Sequence, residues 1–592
     1  MRTLQMSLRL QGHPRHLGIH VGGFVLTRDV ITTLAPVEPG RMQDRAVLPF
    51  DKDDVETLGL FKMDVLGLGM LTCIRKAFDL VNPQRASSSS PPLALYSVPA
   101  DDPDVYAAIS RADTVGVFQI ESRAQMQMLP RLKPTKFYDL VIQVAIVRPG
   151  PIQGGMVHPY LKRRSNHPDE RGWQYPHPSF IPILERTMGV PLFQEQVMQL
   201  AIVGAGYTAG DADQLRRDMA AWKKTGKLDK HRDRLIAGFI AHGVSEEFAV
   251  RVFEQVKGFG EYGFPESHAA SFAHLVYASS WLKFHHPAAF ACALLNSLPM
   301  GFYAPAQIVK DAQQHGIVVH AVDVTQSDWD CTLDDGALRL GMRLVKGLRE
   351  DVGHTIAGER RHGAFVDVAD VVRRARLDKR ARLALAKAGA FDVLAGHRRA
   401  AMWAAMDPRP PLFARLPDEQ PSLFPPTKSE VLVLDYQTVG LSIDDHPMAH
   451  VRPGLQARLS RRERVAAGQR TQLLDSRDVK QTRQGQRVLI AGLVIGRQRP
   501  GTADGTCFVT LEDEYGHINV IVWGREYERW RGTIVTNQFL LVDASIEREG
   551  QVIHAIARGV AGVSGRALAR VDDRGGVGRA QGELPFASRD FH

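Results

Sequence analysis

One pair of charged residues inside an apolar stretch constrains the fold of this chain most. Residues 59–71 read GLFKMDVLGLGML, and Lys62 and Asp64 are the two charged side chains in that run. An ionised carboxylate among apolar neighbours is costly unless a cation or several hydrogen-bond donors meet it. Asp64 therefore needs a metal ion, its lysine neighbour, or the N-terminus of a following helix, which an aspartate can cap. Residues two apart share one face of a strand, so Lys62 and Asp64 are expected side by side.

The length and composition are those of a multidomain globular protein. The chain has 592 residues, 44% of them hydrophobic and 23% charged. Its 74 lysines and arginines exceed its 65 acidic residues by nine, which suits a polyanionic partner without identifying one. The four cysteines are far apart, with neither zinc spacing nor a disulfide framework, which predicts a reducing cytoplasm. Residues 269–295 are the most apolar long stretch, but charged residues and a proline interrupt it, so no membrane span and no membrane partner are expected.

The residues 211–224, DADQLRRDMAAWKK, predict a helix that carries cations over two turns. Asp211 is expected to be its N-cap. An apolar face is expected from residues spaced i, i+4 and i+7, namely Leu215, Met219 and Trp222. The cations beside that face could hold a triphosphate or a nucleic-acid backbone, although a solvated charged face is the usual alternative. They are Arg216, Arg217, Lys223 and Lys224.

Two further segments carry candidate phosphate or nucleotide contacts. Arg148 stands in the sequence Arg-Pro-Gly-Pro, whose prolines hold the backbone and could aim the guanidinium at a phosphate. Residues 258–268, GFGEYGFPESH, form a glycine-rich segment that ends in Ser267 and His268. Ser267 is expected to cap a helix over 269–284, and His268 to touch nucleotide or primer. A capping serine and a packed histidine would explain this pair without any ligand.

Residues 336–405 predict short helices separated by glycine-containing turns, which is typical of helix–hairpin–helix elements. Such elements grip a DNA backbone through main-chain amides and nearby cations, without reading bases. A small helical bundle is the alternative. The candidate DNA-binding cations of this region are Lys346, Arg373, Arg374, Arg398 and Arg399.

Residues 486–562 contain five short β-rich runs, with a helix-like segment at 525–530 between the third and the fourth. This pattern predicts an OB-fold barrel. Because OB folds bind single strands by stacking and by a cationic groove, Arg497 and Trp523 are candidates for DNA binding, and either could be purely structural. Residues 563–592 are rich in glycine and arginine and are expected to form a mobile tail.

The segment 61–68, FKMDVLGL, resembles the one that carries the last catalytic aspartate of bacterial C-family DNA polymerases, the replicase alpha subunits. The upstream segments HVGGFVL at 20–26 and PFDKDDVE at 49–56 have the order and spacing of that family. The segments VRPGPIQ at 147–153 and GFY at 301–303, which follows LPM, resemble those of the family's error-prone branch, which serves damage tolerance. The resemblance covers almost the whole chain.

This resemblance implies a DNA-directed DNA polymerase that adds dNTPs to a primer by two-metal nucleotidyl transfer with Mg²⁺. Asp64 would be a catalytic residue and a metal ligand, and the paired arginines would face the incoming nucleotide. The candidate nucleotide-binding residues are Lys62, Arg148, Arg216, Arg217, Lys223 and His268. The expected fold is multidomain α/β: the rear part of a palm at 1–85, mainly helical fingers at 86–335, the helix–hairpin–helix region at 336–405, a linker at 406–485 and the OB barrel at 486–562.

Within the expected linker, Gln420-Pro-Ser-Leu423-Phe424 resembles the peptide by which bacterial polymerases dock on the sliding clamp. Such a peptide would place Leu423 and Phe424 in an apolar pocket. Primer–template DNA and other translesion-synthesis proteins are further partners that the resemblance implies.

The family's Pro-Asp-x-Asp-x-Asp-Phe motif, which supplies its other catalytic carboxylates, has no counterpart in this sequence. The chain therefore resembles a carboxyl-terminal portion of such a polymerase and is expected not to polymerise alone. The competing hypothesis is a non-catalytic remnant that holds primer–template or single-stranded DNA. An unrelated OB protein, such as a synthetase anticodon binder, is disfavoured because the helix over 211–224 and the Asp64 segment would then have no purpose.

Overall fold

The chain forms two compact units, residues 1–72 and residues 73–592. The structure is a computed structural model that describes residues 2–10, 13, 23–40, 44–87, 90–147, 157–165, 175, 177–220, 227–262, 265–301, 303–406, 424–463, 472–500, 503, 505–549, 552–563 and 589–591. Among these residues, no helix is both long enough and apolar enough to cross a membrane.

The first unit is built around a two-stranded antiparallel ribbon of β1 (Gly23–Leu26) and β4 (Phe61–Asp64). The register places Gly23 opposite Asp64. A second short pair joins β2 (Glu38–Pro39) to β3 (Ala46–Val47). The helices of this unit are Arg2–Leu10 and Lys52–Thr57, with a 3₁₀ turn at Ile31–Thr33.

One face of the β1–β4 ribbon carries Asp64, and the opposite face is apolar and exposed to solvent. Its side chains alternate with those of the Asp64 face, because successive residues of a strand point to opposite sides. They are Phe24, Leu26, Phe61 and Met63. A ribbon of two strands is marginally stable by itself. An apolar ribbon face of this kind is usually covered by further strands or by a helix.

Helices dominate residues 68–314, as expected for the fingers. The helices are Leu68–Ser87, Pro103–Ser110, Arg123–Leu132, Phe137–Ile146, Val157–Ser165, Ile181–Leu184, Gln194–Ala205, Ala209–Ala220, Arg232–Ala241, Glu246–Tyr262, Glu266–His285, Pro287–Leu295 and Pro305–Gln314. The helix Ala209–Ala220, called the finger helix below, buries Leu215 and Met219 completely. The predicted apolar face is therefore confirmed at these two positions, while Trp222 lies outside the described residues.

Two glycines allow close contact between helices that neighbour the finger helix. A Cβ atom added to Gly238 of the helix Arg232–Ala241 would lie 2.6 Å from the backbone oxygen of Ala205. A Cβ atom added to Gly204 would lie 2.5 Å from Cε1 of Phe239. Interiors packed this closely accept no extra methyl group without a shift of the backbone.

Residues 316–406 combine a small sheet with a group of short helices. The sheet has the strand order β5 (Val319–His320), β7 (Ala337–Arg339) and β6 (Thr332–Asp334). The predicted succession of short helices is confirmed, and the helices are Glu350–Arg361, Val368–Arg374, Lys379–Lys387, Asp392–Ala395 and Arg398–Met406.

Residues 487–563 form the predicted OB barrel. Its five strands are β9 (Arg487–Gln498), β10 (Cys507–Glu512), β11 (His517–Val522), β12 (Phe539–Glu549) and β13 (Val552–Val563). They pair in the order β10–β11–β13–β12–β9, and β10 also pairs with β9, which closes the barrel. The helix Gly524–Thr536 lies between the third and fourth strands. A short strand, β14 (Arg589–Phe591), pairs in parallel with β9, and the rest of the predicted tail after 563 lies outside the described residues.

The predicted linker contains two helices, Lys428–Thr438 and Pro447–Glu463, followed by the strand β8 (Leu473–Leu474) and the helix Ser476–Gln481. The first begins with a reciprocal capping box between Thr427 and Glu430. Apolar residues of both helices pack on the outside of the barrel, where they meet Leu493 and Phe539. A proline-rich composition suggests a linker, but the Thr-x-x-Glu signature and these buried positions make the segment part of the folded unit.

The glycine contact at Gly238 leads to a prediction about stability. A Gly238→Ala change should lower the midpoint of thermal unfolding, because the new methyl group meets backbone atoms of Ala205 and costs about 1–3 kcal/mol. Gly358→Ala is the matched control: Gly358 is also helical, but nothing lies within 4 Å of its Cβ position. There the gain in helix propensity, about 1 kcal/mol, should leave the midpoint equal or higher. Equal shifts in both variants would contradict the packing described for Gly238.

Candidate functional site

Asp64 is the last residue of β4, and its side chain is 42% exposed. The Lys62 Nζ atom lies 2.9 Å from Asp64 Oδ1, on the same face of the strand, as the spacing predicts. Directly across the ribbon stands Gly23, which has no side chain. Because opposite Cβ positions of an antiparallel pair are about 5 Å apart, a glycine there leaves space beside the carboxylate. Asp64 is thus held by a neighbouring cation and remains accessible to a ligand.

The nearby aspartates Asp51 and Asp54 serve a local role. The backbone amide of Asp54 donates to Oδ1 of Asp51 at 2.9 Å, and the amide of Asp51 donates to Oδ2 of Asp54 at 3.3 Å. This reciprocal pair begins the helix Lys52–Thr57. Among the described residues, no group of three potential metal ligands includes Asp64.

The finger helix begins earlier than the sequence predicts. Thr208 Oγ1 accepts from the amide of Asp211 at 3.2 Å, and Oδ2 of Asp211 accepts from the amide of Thr208 at 3.2 Å. Asp211 is therefore the third helical position of a capping box headed by Thr208, and the prediction that it is the N-cap is wrong. Asp211 also pairs with Arg234 at 2.8 Å, whose guanidinium lies 4.2 Å from the ring centroid of Tyr207.

A single carboxylate engages both candidate nucleotide-binding arginines of the finger helix. Asp213 Oδ1 accepts from Nε of Arg216 at 3.0 Å and from its Nη2 at 2.9 Å. Nη2 of Arg217 lies 2.7 Å from Oδ2 of the same aspartate. Hydrogen bonds from these arginines lower the pKa of Asp213, with Arg216 making the larger contribution. Both guanidiniums thus share one internal counter-anion on the surface of the helix.

Asp218, the next residue, is directed elsewhere. It is buried, and Oδ2 lies 3.0 Å from Nε2 of His231 while Oδ1 accepts from Gln214 at 3.1 Å. Its charge is therefore committed to the packing of the helix against residues 227–231.

The other nucleotide-binding candidates are distributed unevenly. His268 is half-buried, and its ring centroid lies 4.2 Å from that of Phe272 within the helix Glu266–His285. That helix starts at Glu266, so Ser267 lies inside it and the prediction that it is the cap is wrong. Arg148 and Lys223 lie outside the described residues.

Several candidate DNA-binding cations donate to internal acceptors. Nζ of Lys346 donates to the backbone oxygen of Tyr436 at 3.0 Å. Arg398 is buried and pairs with Asp435 at 2.5 Å. Arg497 is buried in the barrel and donates to the backbone oxygens of Ile534 and Asn537, both at 2.8 Å. In each case the cation fixes two segments of the chain to each other.

Three more candidates lie nearer the surface. Arg374 donates to the backbone oxygens of Glu359 and Gly363. Arg373 is exposed and pairs with Asp370 at 2.5 Å, and Arg399 pairs with Glu430 at 3.0 Å.

Trp523 is the most accessible of the candidates on the barrel, with 50% of its surface exposed. It immediately precedes the helix Gly524–Thr536, in which Arg525, Arg529 and Arg531 are exposed. An aromatic ring beside cations is the combination that single-stranded nucleic acids meet on OB folds. Of the clamp-binding candidates, Phe424 is 76% exposed, and Gln420 and Leu423 lie outside the described residues.

A charge network around the buried Lys283 of the fingers is absent from the sequence predictions. Nζ of Lys283, only 4% exposed, lies 3.0 Å from Asp113 and 2.9 Å from Asp311, and Nε2 of His315 lies 2.8 Å from Asp113. The hydrogen bond to Asp113 raises the pKa of His315 to about 8. The pKa of Asp113 falls to about 2 because its bonds to His315 and Lys283 outweigh its burial.

This network is also the one group of three potential metal ligands that the described residues contain, namely Asp113, Asp311 and His315. The ammonium of Lys283 already lies within hydrogen-bond distance of both carboxylates. The cation that neutralises the cluster is therefore part of the chain, and the cluster gives no support for a metal site.

The barrel is fixed to the fingers through a buried glutamate that the sequence alone does not reveal. Glu512, at the end of β10, accepts from Nε2 of Gln307 at 3.2 Å and lies 3.3 Å from Nζ of Lys310. Burial alone would raise the pKa of Glu512, but the neighbouring imidazoles of His446 and His517, at 3.5 Å and 3.7 Å, hold it well below its usual value. On the same side, Arg123 reaches the backbone oxygen of Val520 at 3.5 Å and lies 5.2 Å from the ring centroid of Phe508.

Comparison with known sequence families covers most of the chain. Residues 1–67 match the family described as "Bacterial DNA polymerase III alpha NTPase domain", and residues 70–243 match "Bacterial DNA polymerase III alpha subunit finger domain". Residues 316–401 match "Helix-hairpin-helix motif", and residues 488–558 match "OB-fold nucleic acid binding domain". The last two matches coincide with the short helices and the closed barrel of the structure.

Curated relatives with the name "Error-prone DNA polymerase" match over nearly the full sequence. The chain is 54% identical over 576 residues to the one from Pseudomonas fluorescens, a match that covers 94% of this chain and 54% of the relative. It is 50% identical over 601 residues to the one from Alkalilimnicola ehrlichii, covering 100% of this chain and 55% of the relative. The chain thus spans about half the length of the curated relatives it matches.

Proposed function

Because the chain belongs to the bacterial DNA polymerase III alpha family, in its error-prone branch, we propose that it serves DNA-directed DNA synthesis of the damage-tolerance type. The observation that carries this proposal is the placement of Asp64. It ends a strand opposite Gly23, its side chain is 42% exposed, and Lys62 lies 2.9 Å from it. The substrates of the chain would be primer–template DNA and dNTPs. Its partners would be other translesion-synthesis proteins and the sliding clamp, which would contact the exposed Phe424.

A divalent cation fits Asp64 as one of its ligands. Magnesium is bound by oxygen atoms, through one or two carboxylates together with water and substrate phosphates. When bound, Mg²⁺ would activate the primer hydroxyl and stabilise charge on the triphosphate. Two-metal transfer needs further carboxylates, and in the part of the chain that the structure describes none joins Asp64 in a three-ligand group. We therefore assign Asp64 one ligand position and propose that this chain does not extend a primer alone.

The remaining roles follow from charge and position. Lys62, beside Asp64, would turn its ammonium toward a phosphate when a nucleotide arrives. Arg216 and Arg217 would hold the triphosphate through their forked donors, which match phosphate oxygens. Arg148, Lys223 and His268 remain proposed contacts to the same nucleotide. The site of action would be the cytoplasm, in keeping with the four free and buried cysteines.

A primer-extension assay tests the proposal. The purified chain with Mg²⁺, dNTPs and a primed template should give no extension, while the full-length Pseudomonas fluorescens relative serves as the positive control. A chimera that joins this chain to the part of that relative outside the matched region should extend the primer. In the chimera, Asp64→Asn should lower the rate on the order of a thousandfold, because metal-assisted charge stabilisation contributes several kcal/mol.

Asp54→Asn is the matched control in the same unit, since Asp54 is exposed and its side chain accepts from the amide of Asp51 at the start of a helix, a bond that the oxygen of asparagine can also accept. Extension by the chain alone would refute the proposed inactivity. Equal rates for Asp64→Asn and the unaltered chimera would refute the catalytic role of Asp64.

We also propose a second, non-catalytic function: the chain holds primer–template and single-stranded DNA. The observation that favours it is the closed OB barrel with Trp523 half-exposed beside a helix that carries three exposed arginines. Stacking on aromatic rings tolerates any base sequence, and cations along the groove follow the backbone. The exposed Arg373 and the half-exposed Arg399 of the helix–hairpin–helix region would add backbone contacts through charge alone.

Fluorescence anisotropy with a twelve-nucleotide oligo-dT tests this second function. The chain should bind, and the logarithm of its association constant should fall linearly as the logarithm of salt concentration rises. Trp523→Ala should weaken binding by about tenfold, because stacking of one base is worth about 1–3 kcal/mol. Trp403→Ala is the control, since Trp403 is also 50% exposed but lies on the helix Arg398–Met406, away from the barrel sequence. Similar losses in both variants would refute a stacking role for Trp523.

A further inference from the structure

The finger helix carries three aspartates, and in the structure each aspartate has different partners. Asp211 pairs with Arg234 and with Thr208, and Asp218 with His231 and Gln214. Asp213 stands three and four residues before Arg216 and Arg217, the spacing at which helical side chains meet. Its two oxygens are divided between the two guanidiniums, at 2.9 Å and 2.7 Å.

These contacts use the donors that a polyphosphate would need. The fork of a guanidinium fits a carboxylate and a phosphate in the same way, through parallel N–H donors. Arg216 commits Nε and Nη2 to Asp213, and Arg217 commits Nη2. A triphosphate that binds both arginines must therefore displace the carboxylate or share its donors with it.

The exposure of the three side chains makes such a displacement possible. Asp213 and Arg216 are each 40% exposed, and Arg217 is 66% exposed. Ion pairs that face solvent to this extent are weak, so a ligand with four negative charges can replace a single carboxylate. After the ligand leaves, the same carboxylate again neutralises the two neighbouring cations, which would otherwise repel each other.

We propose that Asp213 is an internal counter-anion that occupies Arg216 and Arg217 between nucleotide-binding events and limits their affinity for the incoming triphosphate. This inference rests on the proposed nucleotide-binding function of the two arginines. Asp213 is a positioning residue, because it acts on the ligand through the guanidiniums. It keeps both side chains directed along one face of the helix, and its displacement sets how tightly a polyphosphate is held.

Calorimetric titration of the full chain with dATP, and separately with inorganic tripolyphosphate, tests the proposal in low salt without metal. Asp213→Asn should tighten the binding of both ligands by about fivefold, because two exposed ion pairs no longer compete. Asp213→Glu should bind like the wild type, since glutamate at the same helical spacing restores the pairs. Asp211→Asn is the matched control on the same helix and should leave the affinity unchanged, because Asp211 pairs with Arg234.

Equal or weaker binding by Asp213→Asn would overturn the proposal, since a purely structural aspartate would not restrain affinity. The double variant with Arg216→Ala and Arg217→Ala separates this failure from that of the nucleotide site. If the double variant loses binding while Asp213→Asn equals the wild type, the role of Asp213 alone is refuted. If the double variant binds as well as the wild type, or no protein binds either ligand, both the role of Asp213 and that of the arginines are refuted.

Discussion

The buried ammonium of Lys283 is the contact on which the arrangement of the second unit depends. It lies 3.0 Å from Asp113 and 2.9 Å from Asp311, so it ties the helix Glu266–His285 to the helix Pro305–Gln314. A buried charge is tolerated only when partners surround it, and removal of one partner is strongly destabilising. The second of these helices also carries Gln307 and Lys310, which hold Glu512 of the barrel. The helix Pro305–Gln314 thereby joins the core of the fingers to the OB barrel through two separate sets of polar contacts.

Element types could be predicted from the sequence because their signals are local. The five barrel strands follow from β-rich runs, and burial of Leu215 and Met219 follows from helical spacing. Charge partners could not be predicted, since they join residues far apart in the chain. Arg398 pairs with Asp435, and Lys346 donates to the backbone oxygen of Tyr436. The positions of the cations in the sequence do not reveal these contacts. Start residues of helices fall between these cases, because both Thr208-x-x-Asp and Asp211-x-x-Gln satisfy the pattern of a capping box.

The distribution of these cations changes how the net charge of +9 bears on function. Cations that fix one segment to another are unavailable to a polyanion, as Arg497 illustrates by donating to two backbone oxygens inside the barrel. Those that share exposed carboxylates, such as Arg216 and Arg217, are held only weakly and can exchange partners. The difference between the two groups lies in burial and in the kind of acceptor. It is the reason for assigning the proposed phosphate binding to the exposed arginines of one helix and not to the total charge.

The proposed polymerase function requires that the finger helix Ala209–Ala220 hold the phosphates of a nucleotide. Photolabelling of the chain with an azido derivative of dATP, followed by mapping of the labelled peptides, tests this requirement most directly. We expect label on peptides from the fingers that include or adjoin this helix, and loss of that label when Arg216 and Arg217 are both replaced by alanine. Label confined to the OB barrel or the helix–hairpin–helix region, and unaffected by the two replacements, would contradict the account.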